Sequence, residues 1–360
     1  MDFGAGPRRL SSWTRVLDLR PGVHGLVPAE GPVDWSQLDA LPECLTVMWS
    51  GPERGIIEAV AARRGIRFLE WYDAVGDIDL TSTGLGTVRL EGGAELLSVR
   101  LPESIETLFL RRPSATLQVD APDMGHRLDL RLFLYGPDVV IPDGLRRVPK
   151  VWLWVGGEMS ATVLSGLTDL ENLTLTFDNP LGALSEVYEL GRHGRLHTLQ
   201  LDDAYGLDAE SLPDLPSLRH LELNGTRRTT ATTLKARFKG STVTVSVSGA
   251  KSEAWLATHM DNPFRDWVED SKAFGQAACS AYTRAWHAVG AIAPGASDRL
   301  DSAERILRGF VADLNAINDK YGLIDTLNRE HAWDVFCDLA KRLHVPAAQA
   351  DRWFDDGRRF

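Results

Sequence analysis

The sequence predicts an α/β solenoid: a parallel sheet of about ten short strands over residues 1–250, followed by a small all-α bundle over 251–360. Three observations carry this. An L-x-x-L-x-L pattern recurs at Leu170/Leu173/Leu175, Leu196/Leu199/Leu201 and Leu218/Leu221/Leu223. Its inner apolar pair extends back through Val151/Leu153, Leu128/Leu130, Leu108/Leu110, Val88/Leu90, Ile66/Phe68 and Leu45/Val47, and forward to Val243/Val245. After STVTVSVSGAK (241–251) these pairs stop and apolar residues fall at helical spacing instead.

The residues between the paired positions fall at 46, 67, 89, 109, 129, 152, 174, 200, 222 and 244, in steps of 20 to 26 residues. A fixed period of this size marks an architecture of stacked coils, each adding one strand to a common sheet. The pattern resembles the leucine-rich repeat of a divergent bacterial type, and the resemblance implies a horseshoe whose leucines fill the interior. Gly156, Asp178 and Thr226 stand where that family usually carries asparagine. Leu17/Leu19 marks an eleventh coil.

The returning limbs differ along the chain. In GPERGIIEAVAARRG (51–65), Ile56, Ile57, Val60 and Ala61 keep helical spacing up to Gly65, which predicts a helix. From about 90 to 145 a second apolar set, Leu97/Val99, Leu117/Val119 and Val139/Val140, predicts a second strand or extended segment per coil. End coils of such a stack need cover, and the C-terminal part supplies helix candidates at 252–259, 263–290, 301–322, 326–344 and 346–356. In the second, Phe264, Trp267, Phe274, Ala278, Tyr282, Ala285 and Val289 share one face. Asp301 with Glu304 has the form of a capping box, and Gly322 marks a stop. This part resembles no named family.

Composition narrows the function. The net charge is -11 and the pI near 5.3, which opposes nucleic-acid binding, since phosphate neutralisation needs a clustered basic surplus. Three cysteines, Cys44, Cys279 and Cys337, are too few and too scattered for a disulfide framework or a zinc site. The chain opens without a signal-peptide pattern and holds no apolar run of membrane-spanning length, so a cytoplasmic protein away from membranes is expected. The arginine, alanine and glycine content suits a GC-rich bacterial genome.

The segment VPKVWLWVGG (148–157) raises the functional question. If Val151, Leu153 and Val155 point to the core, Trp152 and Trp154 point away from it. The same register places Phe109 and Arg111, and Arg131 with Phe133, on that outer face, which the family resemblance makes the concave surface. Aromatic residues and arginine are the types most enriched in binding hot spots, and Arg131 is in reach of cation–π contact with either neighbour's rings. Arg67, Arg89 and Glu91 lie upstream on the predicted surface. Downstream it carries Asn172, Thr174, Thr176, Thr198, Gln200, Asp202, His220, Glu222 and Asn224, grading towards acidic character. These six residues, Phe109, Arg111, Arg131, Phe133, Trp152 and Trp154, form the expected site for a protein or peptide partner.

No catalytic pattern competes with this. His193 and His197 are four apart but enter a strand rather than a helix, which opposes metal binding. DDAYGLD (202–208) lacks the form of a calcium loop, GLGTVRLEGG (84–93) opens no helix that would receive a phosphate, and no nucleotide loop or nucleophile elbow is present. The expectation is therefore a non-catalytic recognition module without metal or cofactor, of undetermined oligomeric state. Two alternatives accompany it. An immunity or antitoxin protein would mask a basic toxin site. A leucine-rich-repeat ubiquitin-ligase-like effector would use Cys337, although Asp338 adjoins it directly where that family's spacing is C-x-D.

Overall fold

The computed structural model describes residues 1–134, 140–178, 181–292 and 299–360; Val139 of the second apolar set therefore lies outside the described residues. The chain divides into two compact units, Met1–Ser252 and Glu253–Phe360.

The first unit is built on one eleven-stranded, all-parallel sheet. Its strands are Val16–Asp18, Thr46–Ser50, Phe68–Tyr72, Thr87–Glu91, Thr107–Arg111, Asp129–Phe133, Lys150–Val155, Asn172–Phe177, Thr198–Asp202, His220–Asn224 and Thr244–Ser248, adjacent in that order. Leu17 and Leu19, the eleventh pair, are buried at its first edge. Alternation along each strand sends one set of side chains inward, and the ladder aligns them across neighbours: Leu153 meets Leu175, Leu175 meets Leu201, and Leu201 meets Leu223. All four are at most 1% exposed. At the last strand Val245 and Val247 are only half-buried.

The return limbs follow local sequence. The helix Ile56–Ala61 buries Ile56, Ala59 and Val60. Three short parallel strands, Gly76–Asp79, Leu96–Arg100 and Gln118–Asp120, form a second sheet. Within it Leu96, Val99, Leu117 and Val119 are buried, whereas Leu97 is 53% exposed, because Leu96 rather than Leu97 takes the inward place. Val140 is exposed as well. Later coils return through 3-10 turns such as Ala161–Leu164 and Val187–Arg192.

Register differs from expectation at four strands. In three the inward pair sits two residues on, as Val47/Trp49, Leu130/Leu132 and Val245/Val247. In the third strand the shift is three, so Leu69 and Trp71 point inward and Phe68 outward. A shift by an odd number exchanges the two faces of a strand. Two buried indoles explain the choice. Trp49 and Trp71 donate from Nε1 to the carbonyl oxygens of Pro52 and Gly51, at 2.8 and 2.7 Å, which satisfies their only polar atoms inside the core.

The second unit has its own core, centred on Phe264, Phe274, Phe310, Leu314 and Phe336. Its main helices are Glu253–His259, Lys272–Gly290, Arg299–Tyr321, Thr326–Arg342 and Ala347–Gly357. The expected 263–290 helix is broken at Ser271, which is extended, leaving a short turn of helix Trp267–Asp270 before it. That turn folds back so closely that a Cβ on Gly275 would lie 2.2 Å from the Val268 nitrogen, and Trp267 stacks on Phe274 at 5.0 Å. Asp301 sits in a first turn that already includes Arg299 and Leu300, so it is not the cap. Gly322 ends that helix with φ +62°.

Candidate functional site

The face of the large sheet opposite the core, called here the open face, carries the alternate residues of every strand, and the parallel register lines them into columns. One column runs Glu70, Arg89, Phe109, Arg131, Trp152, Thr174, Gln200, Glu222. The next runs Glu91, Arg111, Phe133, Trp154, Thr176, Asp202, Asn224. All six expected site residues therefore stand on three consecutive strands, on one face. Arg67 precedes its strand and is exposed beside it, and Glu70 and Tyr72 occupy the open-face positions instead.

Within these columns the side chains form one continuous stack. The Arg89 guanidinium lies over Phe109 at 4.8 Å, and Arg131, from the strand on the other side, lies over the same ring at 5.0 Å. Arg131 also lies over Trp152 at 5.2 Å. Trp152 stacks on Trp154 at 3.8 Å, Trp154 on Phe133 at 4.5 Å, and Arg111 covers Phe133 at 5.8 Å. The tryptophans are half-buried rather than freely exposed, because each ring is covered by a stack neighbour. What the stack presents outward is ring edges and guanidinium N–H groups.

Every arginine of the stack has a carboxylate. Arg89 pairs with Glu70, Arg111 with Glu91 and Arg131 with Asp129, each at 3.2 Å. Tyr72 donates to Glu70 at 2.6 Å. Three cations against three anions leave the stack electrically balanced.

Beyond the rings the face turns polar and is tied to the stack by hydrogen bonds. The Trp152 indole donates to Thr176 Oγ1, and Thr176 donates to Asp202 Oδ2 at 3.1 Å. Gln200 Nε2 and Asn224 Nδ2 also donate to Asp202, at 3.0 and 2.9 Å. Ser248 donates to Asn224 Oδ1 at 2.7 Å. Sequence reasoning placed all of these but Ser248 on the surface, though not in a connected network, because only the register across strands separated by more than 20 residues brings them together.

The residues weighed for chemistry lie apart. His193 is 5% exposed, its Nε2 has no partner among the described residues, and burial pushes its pKa down, while His197 is exposed. Cys337 is half-buried, and burial followed by the nearby Asp351, Asp334 and Asp338 carboxylates pushes its thiol up, away from the thiolate a transfer nucleophile needs. Among the described residues no three His, Cys, Asp or Glu side chains converge as a metal site would require, and no helix is long and apolar enough to cross a membrane.

The fold and this face define an α/β protein with a long parallel sheet of short strands, one face core and the other an ordered aromatic and arginine surface, followed by helices. No protein-family model matches the chain, and no curated protein is found similar to it.

Proposed function

We propose that the protein is a non-catalytic recognition module, a divergent leucine-rich-repeat-like solenoid of the bacterial cytoplasm that binds a protein partner on the open face of its sheet. The observation that carries this reading is the stack of Phe109, Phe133, Trp152 and Trp154 interleaved with Arg89, Arg111 and Arg131. Aromatic residues and arginine dominate binding hot spots because they combine large apolar contact with directional polar groups. A purely solvated face has no need of four rings on adjacent strands.

The test is an affinity capture from the native host with quantitative mass spectrometry, using the wild type beside the Trp152→Ala/Trp154→Ala variant. A protein held by the wild type and lost by a variant with a cooperative melt supports the reading. Identical captured sets from both sink it.

A second reading, an immunity or antitoxin protein, is favoured by one observation: the net charge of -11, with Asp202 and Glu222 on the same face. Such a protein would mask a basic surface. Growth rescue of cells expressing the captured partner would distinguish it from a scaffold.

A further inference from the structure

Resting on that reading, we infer that the partner segment carries an aliphatic or aromatic anchor for the ring stack and, three or four residues away, a lysine or arginine that meets Asp202 and Glu222. Three features of the face lead to this chemistry.

First, the stack itself offers no net charge. Glu70, Glu91 and Asp129 answer its three arginines, and the Phe109 and Phe133 rings are flanked from both neighbouring strands. A polyanion such as nucleic acid gains little from cations that are already paired, and a ligand cation finds few free ring faces. Ring edges favour an apolar side chain or an acceptor-rich backbone.

Second, charge returns beyond the stack with one sign only. On the open face of the four strands from Asn172 to Ser248 the residues are Asn172, Thr174 and Thr176, then Thr198, Gln200 and Asp202, then His220, Glu222 and Asn224, then Thr244, Ser246 and Ser248. No lysine or arginine stands among them. Asp202 is fixed by three neutral donors, Thr176, Gln200 and Asn224, and is half-buried with no cation beside it among the described residues. Glu222 is half-buried two strands away from Thr174.

Third, the register sets the spacing. Adjacent strands lie about 4.8 Å apart, which puts Asp202 about 10 Å from Trp154 and Glu222 about 14 Å from Trp152. An extended chain covers about 3.3–3.6 Å per residue, so these spans equal about three and four residues. The threonines between, Thr174 and Thr176, are small and leave room for a segment crossing the strands.

The experiment uses the full chain and a random twelve-residue peptide display library as probe, followed by fluorescence titration of the enriched peptides against four proteins: wild type, Trp152→Ala/Trp154→Ala, Asp202→Asn/Glu222→Gln and Glu222→Lys. The expected consensus pairs an aromatic or leucine with Lys or Arg three or four positions away. Its affinity should fall at least tenfold in Asp202→Asn/Glu222→Gln, weaken further with salt in the wild type, and be abolished by Glu222→Lys. Peptides lost with the tryptophans but indifferent to both carboxylate variants would overturn the cation while leaving the binding face standing. Peptides indifferent to all three variants, or a library that enriches nothing, would overturn both. Thermal melts accompany each variant, and because the Glu222 side chain makes no hydrogen bond among the described residues, Glu222→Lys keeps the test valid if Asp202→Asn/Glu222→Gln misfolds.

Discussion

The indole nitrogen of Trp152 donates to the hydroxyl of Thr176 at 3.0 Å, although the two are 24 residues apart, and this bond joins the ring stack to the carboxylate of Asp202. Thr176→Val keeps the shape and removes the link. The loss of two partly buried hydrogen bonds, one accepted from Trp152 and one donated to Asp202, is expected to cost about 1–3 kcal/mol and to move the Trp152 emission, both read from urea unfolding followed by fluorescence. Thr176→Ser should restore both. An unchanged midpoint in Thr176→Val would show that the indole needs no such anchor.

Trp152→Ala/Trp154→Ala separates an open-face pair from a core pair. A buried tryptophan truncated to alanine costs about 3–5 kcal/mol. Here the rings are half-buried and stack mainly on one another, Phe133 and Arg131, so the double variant should lose less than a single core truncation, about 1–2 kcal/mol from stacking and cation–π contact. Trp71→Ala, at 1% exposure, is the internal control and should reach the full core penalty. Equal urea midpoints for the two variants would contradict the assignment of faces.

Leu175 is fully buried at the centre of the inward leucine columns. Leu175→Asp places a carboxylate there without a partner and should cost several kcal/mol, enough to abolish the cooperative melt at ordinary temperature. Thr174→Asp, one residue away on the open face, should shift the melt only slightly. Similar melts for the two would refute the alternation.

How much of this was legible in advance depends on how plainly each strand alternates. Where aliphatic residues mark both inward positions, as at Val151/Leu153, Leu173/Leu175, Leu199/Leu201 and Leu221/Leu223, neighbouring strands could be aligned from the sequence alone. In the third strand the apolar pair Ile66/Phe68 competed with Leu69/Trp71, and the decision rests on a carbonyl, that of Gly51, placed to accept from the Trp71 indole. That acceptor lies 20 residues away and no local pattern reveals it. The helix Arg228–Arg237 was invisible for another reason: it buries only Thr230, Ala231 and Leu234, too little for an apolar stripe. The aromatic members of the site were readable from period-two alternation, whereas the ion pairs and the Asp202 network needed the register.

Acid should destabilise the protein before its carboxylates titrate. Burial pushes the pKa of both His193 and His331 below the ordinary 6.5. Unfolding returns them to that ordinary value, so below about pH 6.5 the unfolded chain binds more protons and stability falls; above it their contribution is flat. Urea midpoints between pH 8 and pH 5 test this, with His193→Gln expected to flatten the slope. A midpoint that holds steady or rises towards pH 5 would be incompatible with buried neutral imidazoles.

The three thiols should react slowly while the protein is folded. Burial pushes Cys279 up to about 12 and raises Cys44 and Cys337 as well. Labelling by an aromatic disulfide reagent at pH 8 should be slow for all three and become fast on unfolding, with the half-buried Cys337 the quickest of the set. Immediate labelling of Cys337 in the native protein, together with a thioester formed from charged ubiquitin-conjugating enzyme, would favour the effector alternative.

The interleaving of rings and guanidinium groups has a thermodynamic consequence for any encounter on this face. A free tryptophan or arginine on a surface samples several rotamers, and immobilising such side chains at an interface costs about 0.5–1.5 kcal/mol each. Here Phe109, Arg131, Trp152, Trp154 and Phe133 already hold one another, so that ordering happened when the chain folded. Association then proceeds onto a rigid template: the heat of binding should carry little opposing entropy from this side, and changes in affinity should come chiefly from how fast the partner leaves.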